Sequence, residues 1–100
     1  MTQIERIRYY EALLDQVDRS NELLARVLDV FEKSTPLSAH LADYLQSEDW
    51  QQDFTDDEAG KLPAELKRGV LSEDGIFNVL EERRQLLAEL LYTVARSLEG

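Results

Sequence analysis

The chain has 100 residues, 43% hydrophobic and 32% charged, with no cysteine, four glycines, two prolines and a net charge of −10. That length supports one domain with a modest core, and the apolar content is too high for a disordered chain. The acidity and the missing cysteines argue against nucleic-acid or anionic-membrane binding and exclude disulfides and thiolate metal sites. No apolar run approaches the roughly 20 residues of a membrane span. The N-terminus is charged from Glu5 onward and has no signal-peptide core, so a cytoplasmic protein is expected.

The charge is unevenly placed. Residues 1–33 carry seven acids and five bases, and residues 34–60 carry seven acids and no base. Residues 61–75 hold three of each, and residues 76–100 hold four acids and three bases. The excess therefore belongs to one segment.

From Ile4 to Phe31 apolar residues recur at helical spacing: Ile7, Tyr10, Leu14, Val17, Leu24, Leu28 and Phe31. Read as coiled-coil heptads these are a and d positions, and Asn21 falls in an a slot. Leu13, Leu23, Val27 and Val30 widen the stripe, as in a helix that meets more than one neighbour. Ser34-Thr35-Pro36 is a stop that doubles as a start, with Thr35 as cap and Pro36 at the first helical position. A shorter helix to about Gln46 then buries Leu37, Leu41, Tyr44 and Leu45.

Ser47 breaks the register, because an uninterrupted helix sets Trp50 and Phe54 on the side away from Leu41. The spacing predicts a new N-cap at Ser47, with Glu48 and Asp49 in the first turn, and a left-handed C-terminal residue at Gly60. One helical turn is expected after Pro63, closed by Gly69, with Leu62, Leu66, Val70 and Leu71 inward. Ser72 is the expected cap of a last helix that buries a stripe from Ile76, Val79 and Leu80 through Leu87, Leu90, Leu91 and Val94 to Leu98. Glu73 and Asp74 stand in its first turn.

Asn21 and Arg83 interrupt these stripes. If the long helices pack antiparallel, the two share a polar layer, with Asp18 or Glu22 near enough to neutralise the guanidinium. Parallel packing instead sets Arg83 near Leu14.

Candidate chemistry is sparse, and no catalytic or cofactor motif is present. Asp53, Asp56, Asp57 and Glu58 form the one weak metal candidate, since hard cations need converging carboxylates. An EF-hand loop begun at Asp53 puts Glu58 at the glycine position and Ala64 at the twelfth, so that match fails. Lys61, Lys67 and Arg68 beside Gly69 offer cations to a phosphate but lack a glycine-rich cradle. His40 has no partner pattern. Trp50 and Phe54 read as core anchors of the connecting segment.

Three motifs nonetheless carry a resemblance: Trp50-Gln51-Gln52-Asp53; Asp57-Glu58-Ala59-Gly60-Lys61-Leu62-Pro63; and the run from Leu66 through Lys67, Arg68, Gly69, Val70, Leu71, Ser72 and Glu73 to Asp74. With Glu5-Arg6-Ile7 and Leu80-Glu81-Glu82, these resemble bacterial family 4298 of the domains of unknown function. The resemblance implies a small bacterial helical protein and no assigned activity, cofactor or catalytic residue.

The expected fold is all-α and one domain over 1–100. It is an elongated bundle of two long helices, about 3–33 and 73–98, antiparallel and bridged by short helices and an irregular segment, with dimerisation covering what remains. The expected function is protein–protein interaction through the 47–75 surface, with Trp50, Asp53, Gly60, Lys67, Arg68, Ser72, Glu73 and Asp74 as its candidate residues. The alternatives are a metal- or phosphate-dependent enzyme or sensor on residues 53–68, and an acidic nucleic-acid mimic.

Overall fold

A run of Leu, Ala, Glu and Arg with no glycine before Gly60 makes helix the cheapest backbone for the first half of the chain. The computed structural model describes residues 1–72 and 74–100, so the expectation placed on Glu73 lies outside the described residues. Among those described the fold is all-α: α1 (Gln3–Leu45), α2 (Glu48–Glu58), a 3-10 turn (Gly69–Leu71) and α3 (Gly75–Glu99). None of these helices is long and apolar enough to cross a membrane. The chain divides into two compact units, Met1–Leu37 and Ser38–Gly100.

The expected break at Ser34-Thr35-Pro36 does not occur, and α1 runs through Pro36 as one helix. An interior proline costs about 3 kcal/mol. Helix formers on both sides outweigh that, while the hydroxyls of Ser34 and Thr35 donate back to the Phe31 carbonyl at 3.2 and 2.8 Å, a local bond that bends a helix rather than strengthening it. At the other end Thr2 Oγ1 accepts from the Glu5 N–H at 3.2 Å. Thr2-Gln3-Ile4-Glu5 has capping-box spacing, a start signal legible in the sequence.

In the unit Met1–Leu37 no residue of the helix is buried. Its a and d side chains are exposed, from 37% at Phe31 to 62% at Leu14 and Leu28, and Asn21 is exposed with them. The expected burial of Leu37 also fails, because that side chain is 67% exposed.

The unit Ser38–Gly100 holds the core. Trp50, Leu71 and Ile76 are buried, with Leu41, Tyr44, Leu45, Phe54, Leu62 and Leu80 packed around them. The hinge at Ser47 makes this possible. Its hydroxyl donates to the Tyr44 carbonyl at 2.6 Å, ending α1, and accepts the Trp50 N–H at 3.1 Å, starting α2. The break swings Trp50 and Phe54 onto the Leu41 side, and Phe54 stacks on Trp50 at 5.0 Å. Ser47→Ala should lose about 1 kcal/mol or more of urea-melt stability. Ser47→Asp keeps the cap but cannot donate to Tyr44, so it should recover only part of that loss; full recovery would reduce Ser47 to an ordinary cap.

α2 ends in a Schellman motif. Gly60 has φ +72, its N–H reaches the Asp57 carbonyl at 3.0 Å, and the Lys61 N–H reaches the Asp56 carbonyl at 2.9 Å. Beyond it the expected helical turn is instead a β-turn, closed by the Leu66 N–H on the Pro63 carbonyl at 3.2 Å. Gly69 opens the following 3-10 turn rather than closing a helix, and both α2 and α3 pack on that turn. Leu71 goes inward as expected and Leu62 partly so, while Leu66 and Val70 stay exposed.

Ser72 does not cap α3. Its hydroxyl donates to the Gly69 carbonyl at 3.0 Å, so it is spent on the turn behind it. α3 starts at Gly75, with Asp74 in the cap position and no side-chain capping bond. Ile76 is buried and Leu80 half-buried, but Val79, Leu90, Leu91, Val94 and Leu98 are exposed. The core reaches only the first turns of α3.

Candidate functional site

The acids of residues 34–60 divide into two groups. Asp53 accepts the Tyr44 hydroxyl at 2.7 Å across the Ser47 hinge. Asp56 accepts from Gln52 Nε2 at 3.0 Å and lies 3.9 Å from Lys61 Nζ. Asp57 is paired with Arg68, whose guanidinium also donates to the Pro63 carbonyl at 2.5 Å and the Leu66 carbonyl at 3.3 Å. These three carboxylates hold the hinge and the 60–68 loop in place. Asp43, Glu48, Asp49 and Glu58 are exposed and make no side-chain hydrogen bond or ion pair among the described residues. Among those residues no three His, Cys, Asp or Glu side chains are grouped to hold a metal ion.

Burial first, and then the hydrogen bond and negative charge of Asp53, push the Tyr44 phenol up to about 12. A folded-state value above the unfolded one stabilises the fold below the unfolded pKa, and the contribution is lost as pH rises through the folded value. Urea melts should therefore lose stability between about pH 10 and 12. Tyr44→Phe should flatten that decline, and an unchanged slope would assign it to other groups.

The three cations weighed as a phosphate grip have different surroundings. Lys61 goes to Asp56, Arg68 to Asp57, and Lys67 lines an open groove. The groove has a volume of about 600 Å³, and its walls are Leu41, Val70, Ile76 and Val79 with Gly69, Ser72 and Gly75 between. Lys67 is exposed at it and has no ion pair among the described residues.

Of the other candidates, Trp50 is core, its Nε1 donating to the Val70 carbonyl at 2.8 Å. Gly60 is a helix terminus, Asp74 lies exposed at the start of α3, and His40 is exposed. Sequence reasoning missed Asp43 and the groove. Asp43 was recoverable, since it faces away from Leu41 and Leu45 on the helix. The groove had no local signal, because its walls come from three separate elements.

Comparison with curated proteins and comparison with solved structures each return no match. The chain belongs to the family described as a domain of unknown function (DUF4298), which it matches over residues 7–93.

Proposed function

We propose that the chain is a protein–protein interaction module. The groove walled by Leu41, Val70, Ile76 and Val79 receives apolar side chains of a basic partner segment. One observation carries the reading: of the seven acids in 34–60, three are tied into the fold and four stand free on the unit that bears this apolar groove. Free carboxylates attract a basic partner and quicken its approach, while apolar contact supplies affinity. The side chains proposed to meet the partner are those of the groove, including Lys67 and Ser72, while the free acids act on it at longer range through their charge. Trp50, Asp53, Gly60 and Arg68 hold the shape. A cysteine-free composition supports a cytoplasmic setting.

The test is a salt-graded pull-down of a bacterial lysate on the immobilised chain. Asp43→Lys/Glu58→Lys and Val79→Asp change exposed side chains, so the fold should survive both. A partner should be lost from both variants and should elute from wild type as salt rises. Equal retention by all three chains would overturn the reading.

A further inference from the structure

Residues 7–31 carry an apolar seam that nothing in their own unit covers. Met1–Leu37 contains a single run of helix with no buried residue, and the seven a and d side chains are 37–62% exposed. Monomers rarely leave contiguous apolar surface beyond a few hundred Å² in water. At roughly 100 Å² for each large side chain, the seam approaches the roughly 800 Å² per partner of a standard specific interface.

The polar residues on and beside the seam choose both occupant and direction. With Ile7 at a, the flanking g positions are Arg6, Leu13, Ser20 and Val27, and the e positions are Glu11, Asp18, Ala25 and Glu32. In a parallel, in-register pair each g residue meets the e residue five positions on in the other copy. Arg6 then meets Glu11 twice over, and no flanking pair sets like charges together. Asn21 meets its own copy, where each amide can donate to and accept from the other. An antiparallel pair that stacks residue 7 on 31 and 14 on 24 places Asn21 against Val17 and Asp18 against Asp18. That leaves an amide unanswered in an apolar layer and opposes two carboxylates.

We propose that residues 7–31 of α1 pair with the same residues of a second copy as a parallel, in-register two-stranded coiled coil. The seam lies outside the groove unit, so the dimer stands or falls independently of the interaction reading.

The experiment is sedimentation equilibrium of the full chain, with oxidative crosslinking of Asn21→Cys. The wild type lacks cysteine, so any crosslink reports that position alone. The expected results are twice the chain mass at tens of micromolar and a covalent dimer from Asn21→Cys. Arg6→Glu should weaken dimerisation roughly three- to tenfold, and Arg6→Glu/Glu11→Arg should restore it. Leu14→Asp should give a monomer whose Trp50 emission stays native, separating lost pairing from lost folding. A wild-type monomer would overturn the proposal, as the seam would then be covered within the chain or by another protein. A dimer without the crosslink, or one indifferent to Arg6→Glu, would overturn the direction and register.

Discussion

Trp50→Ala should unfold most of the Ser38–Gly100 unit at 37 °C. Trp50 is 9% exposed, one of three buried side chains among the described residues, and it touches both the stacked Phe54 ring and, through Nε1, the Val70 carbonyl. Truncating a buried Trp costs about 3–5 kcal/mol, against the roughly 5–15 kcal/mol that holds a typical domain together. The indole also ties α2 to the 3-10 turn on which α3 packs, so its loss should release both helices. Trp50→Phe separates the two contributions: it retains much of the ring but no donor, and should cost about 1–2 kcal/mol. Urea melts followed by circular dichroism, which needs no tryptophan signal, read both variants. A Trp50→Ala loss below about 1 kcal/mol would mean that the hub holds without its anchor.

Gly75→Ala should lower the melting temperature, against what helix propensity alone dictates. Gly75 is the first residue of α3, where alanine is ordinarily favoured by about 1 kcal/mol. Here a Cβ would strike the Gly69 carbonyl oxygen and Ser72 Oγ, both closer than real Cβ atoms approach. The Ser72 hydroxyl can rotate away, at the expense of its bond to Gly69. The carbonyl cannot move without shifting the 3-10 turn that carries Leu71, which is 6% exposed. Overpacking of this kind costs about 1–3 kcal/mol, enough to reverse the sign. A higher melting temperature for Gly75→Ala would show that the turn yields freely and that close approach does not explain the glycine.

Taken together, the internal carboxylate pairs, Gly60 and Gly75 make residues 47–72 and the start of α3 a folded joint. Tyr44–Asp53 bridges its first hinge, Arg68–Asp57 fastens the loop to α2, and Gly75 lets the 3-10 turn sit against the start of α3. The groove is a by-product of that joint, since Leu41, Val70 and Ile76 meet only because the joint brings three elements together.

Much of this was legible in the residues themselves. All-helical class, the Ser47 cap, the left-handed Gly60 and the anchoring role of Trp50 follow from chemistry acting over a few positions, so sequence determined them. The same holds for the heptad seam of α1, whose period is a property of the chain whether or not anything covers it. Tertiary structure decided the rest. Pro36 is the exception, a local stop signal that the helix formers around it outweigh without any tertiary contact being needed. Ser72 is drawn back to Gly69, which moves the start of α3 to Gly75. Asp53 and Asp57 look alike in sequence, yet one accepts a phenol and the other a guanidinium. Their partners lie nine and eleven residues away, across breaks in helix whose angles no local pattern sets. Propensity is written residue by residue, whereas the choice among several equivalent carboxylates belongs to the geometry that brings a donor within reach.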